Sequence, residues 1–316
     1  MAQLANTFAT NDMVGIREDL SDVIYDISPE DTPFYSACAK AKATQTLHEW
    51  QTDALRSSAD NAHIEGDETV ASARTATVRL GNRTQIFKDA VIISGTESGV
   101  AKAGRASEMA YQTMKIAKEQ KLDIEKALFA NQAAVAGSDI LPRRMAGIGA
   151  WITTNTNNVG GGGSDPTGDG SNARTDGSLT AFTQPDFDLT MQEIWNAGGR
   201  ADKVYLSAFQ MNVALGFTGN NNQRSNLDAS SNKVVKTMDL YVTPWGKVEF
   251  VPSRENRSRD VWILQSDMWA VGVRRPTFNE ELAKNGDNER RQVITELTLI
   301  SRNQKASGGV VDCTIT

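Results

Sequence analysis

A long polar connection between two extended segments is the feature that most restricts what this chain can fold into. Residues 55–72, "LRSSADNAHIEGDETVAS", hold few side chains that could fill a core. The flanking segments, "TLHEWQTD" and "ARTATVRLGNRTQIF", are rich in Thr, Arg and Val, which is typical of β-strands. A lone hairpin is marginally stable in water, so we predict that this two-stranded excursion lies against another surface.

A short amphipathic segment precedes the excursion, in "IREDLSDVIYDISPEDTPFYS" at residues 16–36. Pro29 and Pro33 each follow a residue that can cap a new turn. Because a helix of about three turns is marginal by itself, its apolar stripe must be buried. Two interpretations stay open, the first helix of a core or an arm that docks on a neighbouring body. The stripe recurs at helical spacing and comprises Ile16, Leu20, Val23, Ile24 and Ile27.

Residues 96–131 contain no proline and predict an unusually long helix. A helix of about 35 residues spans roughly 50 Å at 1.5 Å per residue, which is far above the average length. Tyr111, Leu122 and Phe129 form a narrow second stripe, with Lys and Glu in the gaps. The main face comprises Met109, Thr113, Ile116, Ala117, Gln120, Ile124, Ala127 and Leu128.

The remaining sequence predicts a mixed domain. Residues 145–154, "MAGIGAWITT", are strand-like and lead into the Gly-rich segment 155–178, which predicts a flexible surface loop. A helix over residues 184–199 with a glycine stop precedes alternating strands, up to a turn at 285–287. A long strand and a last short strand close the chain, so the predicted fold class is α+β.

The residue types that carry catalysis are scarce and poorly placed. His48 and His63 lie in the polar excursion, where no apolar wall would position them, and no G-x-S-x-G elbow occurs. "GDGSNA" at 168–173 matches a dinucleotide pattern, but Pro166 precedes it and "RTDGS" follows, so we interpret it as a linker. We therefore predict no catalytic residues, no cofactor-binding residues, no metal site and no cofactor.

Charge and cysteine usage limit the classes of partner. The 316 residues carry 33 basic and 39 acidic side chains, a net charge of −6, which does not indicate wrapping of nucleic acid by a basic surface. Cys38 and Cys313 are too few for a disulfide framework or a zinc site and fit a reducing cytosol. Without a signal peptide or an apolar run near the roughly 18 residues of a membrane span, we expect a soluble, intracellularly made protein with no membrane partner.

The succession of arm, polar hairpin, long helix and mixed domain resembles the tailed-bacteriophage major capsid proteins of the Hong Kong 97 type. The resemblance covers nearly the whole chain, except the Gly-rich loop, which we interpret as an insertion. The segments that carry it are "REDLSDVIYDISPEDTPFYS", "HEWQTDALR" with "NAHIEGD", and "ELAKNGDNERRQVITELTLISRNQKASGGV".

The resemblance implies four parts with separate roles. The N-terminal arm and the extended loop would contact neighbouring subunits, through assembly-interface residues Ile16, Leu20, Val23, Ile24, Ile27, Trp50 and Arg56. The parts comprise residues 1–46 (N-terminal arm), 47–93 (extended loop), 94–150 with 268–316 (peripheral domain, with spine helix 96–131), and 151–267 (axial domain, with flexible loop 155–178).

The implied function is that of a structural protein and not of an enzyme. Such a major capsid protein self-assembles through hexamers and pentamers into the icosahedral shell that encloses the viral double-stranded DNA. The implied partners are copies of itself, DNA bound without sequence specificity, and portal, scaffolding and decoration proteins. The implied location is the virion capsid, assembled in the host cytoplasm.

One family feature is missing from the extended loop. Some relatives join their shells by a lysine–asparagine isopeptide bond from this loop. Here residues 45–87 contain no lysine, and Lys88 lies at the base of the loop. We therefore expect a non-covalent shell without cross-linking through the loop tip.

Two alternative functions stay open on sequence alone. An encapsulin-like compartment of related fold would package protein instead of DNA. A soluble two-domain enzyme, with a pocket in the region of residues 186–202, would be a monodisperse species near 34.3 kDa that binds a small molecule.

Overall fold

The computed structural model describes residues 31–68, 71–100, 107–217 and 240–315. The apolar stripe predicted within residues 16–27 lies outside these ranges. The described chain combines helices with sheets, which confirms the α+β class. Within it, no helix is both long and apolar enough to cross a bilayer.

Helices and strands alternate irregularly along the described ranges. The helices are α1 (Pro33–Ala37), α2 (Gly95–Gly99), α3 (Glu108–Phe129), α4 (Gln184–Asn196) and α5 (Ala208–Ala214). The strands are β1 (Ala39–Lys42), β2 (Leu47–Thr52), β3 (Val78–Arg83), β4 (Gln85–Ser94), β5 (Thr156–Asn158), β6 (Lys203–Leu206), β7 (Leu240–Thr243), β8 (Gly246–Pro252), β9 (Val261–Leu264), β10 (Trp269–Glu281), β11 (Asn288–Ser301) and β12 (Gly308–Val311).

Four strands form the small sheet, in the order β1–β10–β11–β4. β1 is parallel to β10, and the other two pairs are antiparallel. α3 packs on β4 and β11, because its apolar residues recur on one face and that face is buried at Met109, Ile116, Ile124 and Leu128. The sheet and helix thus bury the main apolar face that the sequence predicts.

Six strands form the large sheet, in the order β5–β12–β9–β6–β8–β7. α4 packs near β12 and begins with Pro185 in its first turn, and Gly198 follows its end at φ +89°. Phe187 and Ile194 from this helix are buried with Val204 and Phe250 of the sheet. The helix predicted over residues 184–199 therefore forms, and its apolar face completes the core of this half.

A cluster of aromatic rings joins the two sheets. The ring centroid of Phe34 lies 5.1 Å from Phe129, 5.3 Å from Tyr205 and 6.3 Å from Trp269. These four residues belong to α1, α3, β6 and β10. The root of the predicted N-terminal arm is therefore part of the core that both sheets share.

The two-stranded excursion predicted from the sequence is formed by β2 and β3. In the described sheets these strands pair only with each other. Residues 53–68 and 71–77 have no regular secondary structure and are exposed.

The single long helix predicted over residues 96–131 is wrong. Two separate helices, α2 and α3, occupy the described part of this range. Val100 (φ −80°, ψ 135°) and Ser107 (φ −138°, ψ 120°) are both extended. The Ser107 hydroxyl accepts a hydrogen bond from Ala110 N–H, so a side-chain cap starts a new helix there.

The flexible surface loop predicted over residues 155–178 is also wrong. Its strand β5 pairs with β12, and Ser164 and Thr175 exchange backbone hydrogen bonds. A Cβ added to Gly160 would lie 1.4 Å from the backbone oxygen of Ser178. At this position glycine permits close packing of the backbone, so the glycine content does not indicate a mobile linker. The preceding residues 145–154 contain a buried 3-10 turn, Ile148–Ala150, where a strand was predicted.

Two boundaries differ from the division expected by resemblance. β4 pairs along its whole length with β11, so it belongs to the body. The extended loop therefore ends at residue 83 and not at residue 93. β12 pairs with β5 and β9, so residues 268–316 do not all return to the small sheet. Gly309 permits the second pairing, because a Cβ at this position would lie 2.6 Å from the Trp262 ring.

Candidate assembly interfaces

The N-terminal arm joins the body at α1, where a buried carboxylate holds the backbone. Glu125 Oε1 accepts a hydrogen bond from Phe34 N–H (2.9 Å), and Oε2 accepts one from Tyr35 N–H (2.7 Å). Pro33 opens this helix and has no N–H to satisfy. The Glu125 side chain therefore takes up free amide groups at the start of α1 and fixes where the arm emerges.

Burial raises the pKa of Glu125 to about 7, because the carboxylate loses its hydration. The amides of Tyr35 and Phe34 oppose this effect and lower the pKa, Glu255 raises it, and Lys40 lowers it. Desolvation is the largest of these influences. The neutral form of Glu125 is thus favoured more in the folded subunit than in the unfolded chain.

The stability of the unassembled subunit should fall as the pH rises from 5 to 8. The folded state binds the Glu125 proton more tightly, with a pKa of about 7 against a reference value of 4.5. The protonated carboxyl stabilises the folded state fully at a pH below the reference pKa. This stabilisation, about 3 kcal/mol in all, is lost as the pH rises through the folded-state pKa. Urea unfolding at several pH values measures the slope, and Glu125→Gln should flatten it. An equal slope in that variant would contradict the assignment.

The base of the extended loop is held by its own chain. Trp50 Nε1 donates to the carbonyl of Ser301 (2.7 Å), and its ring lies 5.4 Å from that of Trp151. On the paired strand, Asn82 Nδ2 donates to the carbonyl of Leu299 (2.8 Å), and Asn82 Oδ1 accepts from Ala146 N–H (2.9 Å). The structure thus places Trp50 against its own body, and its contact with a neighbouring subunit stays a prediction.

The exposed part of the loop carries the other predicted interface residue. Arg56 is exposed, and its described hydrogen bond goes to the carbonyl of the adjacent Ser57 (3.0 Å). Leu55 and Ile64 nearby are 99% and 84% exposed. This segment therefore leaves two large apolar side chains open to solvent.

A buried ion-pair network holds the Gly-rich segment to the C-terminal residues. Arg174, only 1% exposed, donates from Nη2 to Asp312 Oδ2 (2.9 Å) and from Nη1 to Asp176 Oδ1 (3.2 Å). Arg259 Nη2 donates to Asp312 Oδ1 (2.6 Å). Burial alone would raise the pKa of Asp312, but the bonds from Arg174, Gly177 and Arg259 leave that pKa lowered. Asp312 therefore stays ionised and ties three segments together.

A third buried carboxylate, that of Glu296 on β11, accepts hydrogen bonds from three arginines. Oε1 accepts from Arg143 Nη2 (2.5 Å) and from the Thr84 hydroxyl (2.7 Å). Oε2 accepts from Arg274 Nη1 (2.8 Å) and Arg275 Nε (2.7 Å). Burial opposes ionisation, but these bonds leave the pKa of Glu296 lowered. We call Arg143, Arg274 and Arg275 the arginine cluster.

The acidic residues in the region 186–202, considered above for an enzyme pocket, make hydrogen bonds that hold the fold. Asp186 Oδ2 accepts from the Thr183 hydroxyl (2.5 Å) at the start of α4, and Asp202 Oδ1 accepts from Ser266 N–H (2.6 Å). His48 stacks near Trp50 at 6.0 Å, and burial lowers its pKa. His63 is exposed beside Asp67. In the part of the chain that the structure describes, no group of three or more His, Cys, Asp or Glu side chains is placed to hold a metal ion.

Sequence reasoning missed the buried charges, although one of them had a signal. Glu125 falls at the spacing of the narrow second stripe, between the apolar residues Leu122 and Phe129. A carboxylate on such a stripe indicates a specific buried partner. Glu296 and Asp312 have no comparable pattern, because their arginine partners lie far away in the sequence.

Solved structures with a similar fold include capsids of phages and of a GTA particle. The chain superposes on the cyanophage A-1(L) capsid asymmetric unit with a TM-score of 0.67 and 12% identity, over 97% of this chain and 98% of that one. For the capsid of a native GTA particle the TM-score is 0.62 at 9% identity, over 95% and 96%. These likenesses show the Hong Kong 97-type fold, as the resemblance of the sequence implied.

The family follows from two sequence comparisons. The family model described as SU10 major capsid protein matches residues 3–314. The major capsid protein of Escherichia phage Phieco32 is 30% identical over 336 residues, covering 95% of each chain. The chain therefore belongs to the SU10 major capsid protein family. Its function as the major capsid protein of an icosahedral shell is confirmed, and the encapsulin-like and enzyme alternatives are not favoured.

Proposed function

We propose that this chain builds its shell from hexameric and pentameric capsomers, held by non-covalent overlap, and that it has no catalytic activity. The observation that carries the proposal is the extended loop. Its base is fixed to the body by Trp50 and Asn82, while residues 53–68 and 71–77 are exposed. A segment projected from a rigid base, with Leu55 and Ile64 uncovered, suits a repeated contact with the next subunit.

Negative-stain imaging of the purified protein tests this proposal. We expect closed particles that contain DNA, or empty closed shells when DNA is withheld. Particles that package a protein cargo would support the encapsulin-like alternative. A single species near 34.3 kDa that binds a small molecule would contradict the proposal.

The apolar stripe of the arm should be needed for assembly. Leu20→Asp with Val23→Asp places two charges on the stripe predicted within residues 16–27, so the arm should no longer bury that face. We expect a folded monomer, by circular dichroism, and at least about a tenfold loss of particles in sedimentation, since each buried charge costs several kcal/mol. Asp19→Asn with Asp22→Asn, on the charged face, is the matched control. Normal particles from the double aspartate variant would contradict the arm hypothesis.

Particles should contain no covalent link between subunits. An isopeptide bond needs a lysine amine and an asparagine carboxamide of another subunit, but residues 45–87 offer only arginines, which stay protonated and do not attack. Lys88 is fixed in β4 opposite Ile294, away from the loop tip. Particles boiled in denaturant and reducing agent should run as one band at 34.3 kDa. A ladder of oligomers, traced by mass spectrometry to a lysine–asparagine bond, would overturn this expectation.

Further partners follow from this function. We propose non-specific contact with packaged double-stranded DNA, assembly in the host cytoplasm with portal and scaffolding proteins, and a decoration protein on the outer surface. A structural neighbour supports the decoration protein, because its structure contains phage G gp27 major capsid proteins and gp26 decoration proteins. The TM-score to that neighbour is 0.55 at 10% identity, over 100% of both chains.

A further inference from the structure

The arginine cluster holds more positive charge than Glu296 neutralises. Three guanidinium groups surround one carboxylate, which leaves two positive charges in excess. The ion pairs found in the described ranges bring no second acid to Arg143, Arg274 or Arg275. Because Glu296 is buried and both its oxygens are occupied, it cannot take a further partner.

An irregularity in β10 brings two neighbouring arginines to the same carboxylate. Successive side chains of a regular strand point to opposite faces, so Arg274 and Arg275 would normally diverge. The β10–β11 register shifts between Val273 and Arg275, and both guanidiniums reach Glu296 Oε2. A bulge that re-aims a side chain is typical of functional positions in sheets.

The cluster is also open to solvent. The side chains of Arg143, Arg274 and Arg275 are 20%, 34% and 41% exposed. A guanidinium has five N–H donors, and the described bonds use two on Arg143 and one on each of the others. Guanidinium forks with unused donors suit a carboxylate, which they bind in bidentate geometry.

The extended loop of the same chain offers the complementary charge. Residues 53–77 contain five acidic residues and two arginines, which makes this segment acidic. Asp67 N–H donates to the carbonyl of Ile64 (3.1 Å), and Gly66 has φ +84°, so a tight turn presents Glu65, Asp67 and Glu68 at the surface. We call these three residues the acidic turn.

We propose that the acidic turn of one subunit binds the arginine cluster of another through carboxylate–guanidinium contacts. The proposal rests on the proposed shell function, because it requires repeated contacts between copies. It assigns the loop a defined docking point on the small sheet, beside β10 and β11. Glu296 then has a positioning role, since it holds the three guanidiniums together for the incoming carboxylates.

Zero-length cross-linking tests this contact directly. Arg274→Lys keeps the positive charge and supplies an amine that carbodiimide couples to carboxylates. In particles assembled from mixed isotope-labelled and unlabelled chains, we expect a bond between position 274 and the acidic turn of a different chain. Arg200→Lys, an exposed arginine on the other half of the subunit, is the control and should give no such bond. A bond from position 274 to Glu296 of the same chain is expected in any case. Normal particles without a bond to the acidic turn, or with that bond only to the acidic turn of the same chain, would overturn the inference while the shell function stands.

A second experiment avoids substitution in the arginine cluster. Phenylglyoxal modifies accessible arginines, so wild-type particles should protect Arg274 and Arg275, and free subunits should not. The triple variant Glu65→Gln, Asp67→Asn and Glu68→Gln should restore the reactivity of Arg274 and Arg275 in particles. It should also raise the lowest protein concentration that yields particles at least about fivefold. Added salt should make this difference from the wild type smaller. Asp139→Asn with Asp267→Asn and Glu281→Gln removes equal charge elsewhere and should change neither. Protection only in DNA-filled particles would assign the cluster to phosphate and overturn the proposal.

Discussion

Replacing Asp312 by asparagine is expected to destabilise the unassembled subunit by about 3 kcal/mol, because it leaves a buried guanidinium without its main counter-charge. Arg174 is 1% exposed, and Asp312 accepts bonds from both Arg174 and Arg259. Asparagine is nearly isosteric and tolerates the positive φ of +64° found at this position, so the substitution changes charge more than backbone. Urea unfolding of the subunit, followed by tryptophan fluorescence, measures the loss.

The same network supplies a matched control. Asp176 also pairs with Arg174, but its side chain is 32% exposed and water can replace the lost contact. Asp176→Asn should therefore cost about 1 kcal/mol or less. Equal losses for Asp176→Asn and Asp312→Asn would show that burial does not decide the strength of this network.

Truncating Phe34 to alanine should cost about 3–5 kcal/mol, the range for a large aromatic side chain removed from a core. Phe34 is 2% exposed and contacts rings from three other elements, so the cavity cannot collapse easily. The substitution should also reduce assembly, since Phe34 fixes the root of the arm. Thermal unfolding gives the stability loss, and particle yield at a temperature where the variant stays folded gives the second effect.

Phe209 is the matched control for this substitution. Its side chain is 37% exposed on α5, and Phe209→Ala should cost about 1 kcal/mol. A loss for Phe34→Ala as small as that for Phe209→Ala would mean that the arm root is not part of the shared core.

Local patterns predicted the elements whose signals are local. The 3.6-residue spacing of Ile116, Ile124 and Leu128 identified the buried face of α3, and the glycine stop that includes Gly198 marked the end of α4. The two extended segments around the polar excursion became β2 and β3. In each case the residues that give the sequence pattern lie within the helix or strand that they predict.

Features that depend on distant partners were missed. Glycines at 155–178 predicted a loose loop, because the sequence does not show that Arg174 meets Asp312 and that Gly160 packs on Ser178. Likewise, the hydrogen bond from the Trp50 indole to the Ser301 carbonyl was not predicted, since no residue near Trp50 in the sequence indicates this partner. The family resemblance predicted that residues 268–316 return to the peripheral domain, but β12 pairs with β9 in the large sheet, where Gly309 lies against the Trp262 ring.

The pairing of the first strand with a late one has a consequence for synthesis on the ribosome. Ala39 pairs with Ala270, and Phe34 packs on Trp269, so the root of the arm finds its place only after most of the chain has been translated. Contacts this distant in sequence form slowly and leave early strands uncovered in the meantime. A nascent or truncated subunit therefore lacks a positioned arm. Only the complete polypeptide can then assemble into a shell.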